Sequence, residues 1–342
     1  MIYMNNIFGI KLNDLEEYFL SIGEKKFKAR QVYEWVYKKN IYNFKQMTNI
    51  KKDLQEKLSE DFNFNFISIE KKQVSELTNK YLFKLIDGNF IEAVLMRHDY
   101  GISICVSSQV GCNMGCKFCQ SGMLKKVRNL DAYEMVEQIL LVEADIGERI
   151  DSVVIMGIGE PFDNYNNVMD FIRIINEPLG ISIGARHITV STCGIIPKII
   201  DFMNEGLQVN LAISLHAPNN EIRDSLMPVN KAYNIEKLID VLKTYINKTN
   251  RRVTIEYVML KYINDSKECA NELATLLRGM NVYVNLIPYN ETDSEFRKSD
   301  KSTIMEFYDN LKKRGINVTI RREFGGNIDA ACGQLRAKEV MK

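Results

Sequence analysis

Residues 104–119 read Ile104-Cys105-Val106-Ser107-Ser108-Gln109-Val110-Gly111-Cys112-Asn113-Met114-Gly115-Cys116-Lys117-Phe118-Cys119. Cys112, Cys116 and Cys119 form a C-x3-C-x2-C arrangement, three thiols in eight residues. Gly111 and Gly115 permit a tight backbone path, so the three sulfurs can face one centre. A structural zinc site closes with four ligands, and no second CxxC or HxxxH offers the fourth. Three thiolates on a [4Fe-4S] cubane instead leave one iron open to a small ligand. The competing reading is three structural or disulfide-bonded cysteines. The seven cysteines are odd in number and unevenly spaced, unlike a secreted disulfide framework.

The totals frame this loop. The chain has 342 residues, 46% hydrophobic and 26% charged, enough for one large domain or a main domain with an appendage. Six Pro and 19 Gly leave little room for long disordered tracts. No apolar run reaches the roughly 18 residues that span a bilayer. Residues 1–6 show no basic segment leading into an apolar stretch, so no secretory leader is expected. A net charge of +1 means that any nucleic-acid surface must arise from local segregation of charge.

Residues 1–90 read as a small helical accessory unit with a hairpin. Leu12, Leu15, Tyr18, Phe19 and Ile22 recur at helical spacing over 12–22, and Val32, Trp35 and Val36 share a face of a second helix over 28–39. Between Gly23 and Lys52 there are nine Lys/Arg against two Glu. That run is either a solvated helix face or an RNA-phosphate patch, the latter favoured by the interleaved Tyr33, Trp35, Tyr37 and Tyr42. Residues 81–84 and 90–97 alternate as strands around the turn Asp87-Gly88-Asn89.

From residue 98 to 335 the pattern becomes strand–helix alternation. Strands are expected at 102–107, 151–157, 187–192, 209–215, 253–259, 282–288 and 317–321. Helices are expected at 132–144, 165–175 and 195–204. Apolar β-branched runs between amphipathic helices imply an α/β fold with a buried parallel sheet. Six such units suit a partial (βα)6, TIM-like barrel, with ligands at the carboxyl ends of its strands. Chemistry-bearing residues do gather there: Gly157-Ile158-Gly159-Glu160-Pro161, then Ser191-Thr192-Cys193-Gly194, Ser214-Leu215-His216, and Asn290. Singly each reads as loop capping; jointly they form the sparse polar set of a largely apolar pocket. The two glycines are expected to let backbone approach a ligand, with Glu160 suited to a cationic ammonium. His98 and His187 read as structural, Cys193 and Cys269 as bystanders. Near the C-terminus Gly325, Gly326 and Gly333 bracket a loop thiol, Cys332, a candidate nucleophile. Cys105 lies on the strand entering the cysteine loop, at a position able to face the barrel interior.

The C-x3-C-x2-C spacing is the signature of the radical S-adenosylmethionine (SAM) enzymes. Over nearly its full length the chain resembles the RlmN/Cfr family of radical SAM RNA methyltransferases, most closely the RlmN branch. The residues that carry this are 105–112, the three loop cysteines, Arg128-Asn129-Leu130, 156–161, 185–192, 212–218, 285–288 and 328–335. The resemblance implies SAM contacts at Gly159, Glu160, Ser191, Ser214, Leu215, His216 and Asn290. It implies a [4Fe-4S] cluster on Cys112, Cys116 and Cys119, a methylated Cys332, Cys105 as its partner, and Glu92 as proton acceptor. Gln120-Ser121-Gly122 after Cys119 departs from the small residue and Thr-Gly more usual in that family.

The implied reaction methylates carbon 2 of adenosine-2503 in 23S rRNA and of adenosine-37 in tRNAs, using two SAM molecules per turnover. One SAM methylates Cys332; a 5′-deoxyadenosyl radical from the second activates that methyl for addition to the base. Carbon 2 lies between two ring nitrogens and is too electron-poor to attack SAM directly, which is why a radical is needed. Cys105 then attacks Cys332 to release the product through a disulfide. A cytoplasmic monomer served by an electron donor such as flavodoxin or ferredoxin is expected. Alternatives are carbon-8 methylation by the same cysteines, a radical SAM activase or peptide maturase, and an iron–sulfur RNA-binding sensor.

Overall fold

The computed structural model describes residues 5–291 and 294–321. Three helices open the chain: α1 Leu12–Ser21, α2 Lys26–Tyr37 and α3 Lys52–Asp61. Their apolar faces bury Leu15, Phe19, Val32, Val36, Leu54 and Leu58, the expected consequence of 3.6-residue periodicity. Tyr33 and Tyr37 are buried with them, 4.6 Å apart between ring centroids. The aromatic residues interleaved with the lysines are therefore largely core, and only Trp35 and Tyr42 keep part of their surface. Of the basic run, Lys26 pairs with Glu17, Lys28 with Glu24 and Arg30 with Glu16.

Ten strands follow in one sheet whose spatial order is the chain order. They are β1 Ser68–Val74, β2 Thr78–Lys84, β3 Phe90–His98, β4 Gly101–Cys105, β5 Ser152–Ile155, β6 Ile188–Thr192, β7 Asn210–Ser214, β8 Val253–Met259, β9 Val282–Pro288 and β10 Val318–Ile320. β1 to β4 pair antiparallel, and every neighbour from β4 to β10 is parallel. The hairpin expected around Gly88 is β2 and β3, and it continues directly into the parallel sheet through β3–β4 pairing. Among the described residues the two end strands, β1 and β10, each pair on one side only, as in a partial barrel.

Six parallel steps need crossovers, supplied chiefly by α4 Ala132–Ile146, α5 Tyr165–Asn176, α6 Ile196–Asn204, α7 Asn220–Leu226, α8 Ile235–Thr249, α9 Lys267–Leu276 and α10 Lys301–Lys313. Local chemistry sets their ends. α4 starts on an Asp131–Glu134 capping box and stops at Gly147 in the left-handed region (φ 67°). Burial alternates along β9: Val282, Val284, Leu286 and Pro288 are buried, while Tyr283, Asn285 and Ile287 are half-buried. The half-buried set borders the cavities of the barrel interior. Cys269 packs as a small buried residue of α9, as its sequence context implies.

The helical unit docks on α4 and α5. Phe8 sits in an aromatic nest with Tyr37, Tyr42, Phe64 and Phe66. Glu137 of α4 accepts from Asn6 Nδ2 at 3.0 Å and from the Ile67 amide at 2.9 Å. Lys11 reaches Asp170 of α5 at 2.7 Å. Among the described residues no helix is long and apolar enough to cross a membrane.

Candidate active site

The cysteine loop leaves β4 and arches over the carboxyl ends of the parallel strands. Its glycines act as expected: Gly111 lies at φ 84°, and a Cβ there would fall 2.2 Å from the Lys125 carbonyl oxygen. Beneath the loop, Met114, Cys116 and Phe118 pack on an apolar cluster that includes Leu226, Met227, Val258 and Leu260. Cys112, Cys116 and Cys119 all border one cavity of about 340 Å³. Burial pushes the Cys112 thiol up to about 12, with the Met114 amide opposing, and burial raises Cys116 further. Among the described residues no three His, Cys, Asp or Glu side chains converge on a single-ion position. Three soft thiols around one cavity, with no imidazole or carboxylate completing a closed set, fit a thiolate-held iron–sulfur cluster better than one zinc ion.

The same cavity collects residues from successive strands. Cys105 ends β4, Gly159 and Glu160 follow β5, Ser191 lies near the end of β6 and Cys193 just after it. Ser214 ends β7 and His216 follows it, and Asn290 follows β9. Glu92 of β3 borders it from the antiparallel side. Leu215 is the exception: its side chain lies in the main core, its amide donates to the Glu256 carbonyl, and it does not border the cavity. Cys332 falls outside the described residues.

Glu160, Ser191 and His216 are buried, while Ser214 is half-buried and Asn290 exposed. Glu160 is 4% exposed and accepts from the amides of Phe162 (3.0 Å) and Cys193 (2.8 Å). Burial lifts its carboxyl above the ordinary range, against those donors. His216 occupies the left-handed region at φ 59°, and its Nδ1 accepts from the Val258 amide at 3.0 Å. Burial, then the nearby Arg223 charge, lowers its pKa to about 3, so it faces the cavity as a neutral ring. The Ser191 and Ser214 hydroxyls stand 3.5 Å apart. Burial raises the Cys105 thiol, and the Arg321 charge opposes that rise.

Three features escape the sequence pattern. The first is the ion pair between Lys80 Nζ and Glu92 at 3.1 Å, with side chains 0% and 3% exposed. The second is Arg223, fully buried, which donates to the carbonyls of Leu215, Cys193 and Tyr233 and to Asn230, tying the β6 and β7 strand ends together. Cys193, expected as a bystander, is thus part of the cavity wall. The third is Glu256, bound by Asn285 Nδ2 at 2.9 Å and raised by burial against the Arg321 charge. The glycine pair lines the cavity and is also packed closely from behind. A Cβ on Gly157 would meet the Val106 oxygen at 2.6 Å, and one on Gly159 (φ 112°) would meet Gln109 at 2.6 Å. Their smallness also lets them pack against the segment that leads into the cysteine loop.

Comparison with known proteins gives a consistent picture. Residues 106–274 match the radical SAM superfamily, and residues 5–63 match the ribosomal RNA large subunit methyltransferase N-terminal domain. A probable dual-specificity RNA methyltransferase RlmN of Listeria monocytogenes is 54% identical over 99% of this chain and 95% of its own. Its counterpart in Enterococcus faecalis is also 54% identical, over 98% of this chain and 97% of its own. The crystal structure of a radical SAM methyltransferase from Sphaerobacter thermophilus superposes with a TM-score of 0.91 at 40% identity, covering 96% of this chain and 98% of that one.

Proposed function

Because the chain belongs to the RlmN family of radical SAM RNA methyltransferases, we propose that it methylates carbon 2 of adenosine-2503 in 23S rRNA and of adenosine-37 in tRNAs. The superfamily implies a [4Fe-4S] cluster and SAM. The observation that carries the finer reading is the single cavity bordered by the three cluster thiols, Cys105, Glu92 and six of the seven residues assigned to SAM. The seventh, Leu215, can take part only through its backbone.

Cys112, Cys116 and Cys119 hold the cluster as thiolates. Bound there and reduced by an external donor such as flavodoxin or ferredoxin, the cluster would supply the electron for reductive cleavage of SAM to a 5′-deoxyadenosyl radical. Glu160, Ser191, Ser214, His216 and Asn290 orient SAM; a neutral His216 adds no charge to repel its sulfonium. Cys332 takes a methyl from one SAM as a thioether. The 5′-deoxyadenosyl radical removes one hydrogen from that methyl, the resulting carbon radical adds to carbon 2, and the adduct would give up its surplus electron to the bound cluster. Glu92, anchored by Lys80, accepts the proton that leaves carbon 2. Cys105 attacks the Cys332 sulfur, forming a disulfide as the carbon–sulfur bond to the product breaks; the disulfide is then reduced for the next turnover. Two SAM molecules are used per turnover. Residues 1–90 contribute RNA affinity and residues 98–335 the chemistry, in a cytoplasmic monomer.

Anaerobic reconstitution with SAM, a reductant and a 23S rRNA fragment tests this, read by mass spectrometry of the digested nucleosides. The expected product is 2-methyladenosine. Methylation at carbon 8 would move the protein to the Cfr-type reaction, and SAM cleavage without any methylated adenosine would remove the RNA reading.

A further inference from the structure

At the opposite, amino-terminal end of the parallel strands lies a second cavity of about 690 Å³. Arg186, Arg251 and Arg252 line it, together with strand residues such as Thr189, Thr254 and Tyr283, and among the described residues no carboxylate does. The groups that hold these guanidiniums are neutral. Arg186 Nε donates to Gln208 Oε1 at 3.0 Å, Arg251 Nη2 donates to Asn210 Oδ1 at 2.9 Å, and Arg252 lies 4.8 Å from the Tyr283 ring centroid. The Arg251 guanidinium also interacts with the buried Tyr245 hydroxyl, while its Nε is buried with no hydrogen-bond partner among the described residues. A buried guanidinium N–H is ordinarily satisfied, and clustered guanidinium groups ordinarily face carboxylates. Here the guanidiniums are met by neutral partners, and no carboxylate among the described residues lines the cavity with them.

We propose that this end of the barrel is a second binding site, specific for a phosphate-class anion gripped by Arg186, Arg251 and Arg252. Guanidinium groups fixed by neutral partners present paired donors that match phosphate oxygens, and the Thr189 and Thr254 hydroxyls offer further donors at the strand ends. The site is distinct from the SAM cavity. The Glu256–Asn285 hydrogen bond divides the two, since Asn285 lines the lower cavity and Glu256 the upper. The anion is either a free phosphate compound or a backbone phosphate of RNA held at the mouth; the second source alone rests on the proposed RNA substrate.

Two measurements on the cluster-reconstituted protein distinguish them. Titration calorimetry with inorganic pyrophosphate should show saturable binding, weakened at least tenfold by Arg251→Gln and by Arg252→Gln. Arg252 is exposed, so its variant keeps the test valid if Arg251→Gln folds poorly. If RNA backbone is the occupant, RNA affinity plotted against salt should lose about one unit of log–log slope per arginine removed. Pyrophosphate binding with an unchanged RNA slope assigns a free-anion site, whatever the outcome of the methylation assay. Pyrophosphate affinity and RNA slope that are both indifferent to the two substitutions would overturn the proposal.

Discussion

The mouth of the barrel and the helical unit spend their charged groups in opposite ways. At the mouth, Glu160, Arg223, Glu92 and Lys80 are nearly or fully dry, and each is tied to a specific partner. In the helical unit the interior is chiefly aliphatic and aromatic, and charge stays outside in pairs such as Lys26–Glu17 and Lys38–Glu34, with Glu16 as a buried carboxylate met by Arg30. Removing one partner of a buried pair strands the other in a low-dielectric site, at a cost of about 3–5 kcal/mol. An exposed pair contributes about 0–1 kcal/mol and can be exchanged for another partner. The first arrangement holds geometry; the second leaves lysines available for a polyanion.

The sharpest contrast should come from the cluster loop. Cys112→Ala, Cys116→Ala or Cys119→Ala is expected to abolish the iron–sulfur absorbance and reductive SAM cleavage, while RNA binding by the helical unit persists. Full SAM cleavage by any of them would detach the cluster from this loop.

If Cys332 and Cys105 have the roles proposed above, variants lacking them should fail in different ways. Cys332→Ala lacks a methyl carrier and should form no protein–RNA species. Cys105→Ala can form the adduct but not resolve it, so it should accumulate RNA linked to the protein, visible as a nuclease-sensitive shifted band under denaturing conditions. Equal inactivity without trapped RNA would reduce Cys105 to an ordinary strand residue.

Next comes the buried pair. Lys80→Met should lower unfolding stability by about 3–5 kcal/mol, and adding Glu92→Gln should restore much of it. Lys28→Gln, whose Glu24 partner is accessible, should cost about 0–1 kcal/mol. Denaturant midpoints at a common m-value read both, and similar losses for Lys80→Met and Lys28→Gln would erase the contrast.

The junction between the regions should respond to pH. Burial raises Glu137 to about 8, against the Ile67 amide and Asn6. Its native pKa lies above the unfolded value, so the folded state binds more protons between the ordinary 4.5 and about 8. Stability should therefore fall as pH rises through that window and level off above it. Glu137→Gln should flatten the slope of thermal midpoint against pH; an unchanged slope would place the titration elsewhere.

The smallest effect belongs to the basic face. Replacing Lys25, Lys26, Lys28 and Arg30 with Gln should shallow the salt dependence of RNA binding, by about one unit of slope for each phosphate that is no longer neutralised. Three of the four already have carboxylate partners, so the total should stay below four. No change would leave the face merely solvated.

Much of this molecule is legible from residue order because the deciding interactions are local. The thiol spacing, the loop glycines and the alternation of apolar runs act over a few residues, and they locate the cysteine loop, the parallel strands and the groups at their carboxyl ends. What stayed hidden depends on partners distant in the chain. β1, Ser68–Val74, is mostly charged and polar and becomes a strand only by pairing with β2. α3 is short and polar, and it is fixed by burying Leu54 and Leu58 in the helical unit. Arg223 reads as one more helical charge until Leu215, Cys193 and Asn230 close around it, and Lys80 as a solvated strand residue until Glu92 meets it in the dry interior. Local sterics and periodicity are properties of a segment. Burial of a charge, and the counter-group that makes it tolerable, exist only once remote segments have been brought together.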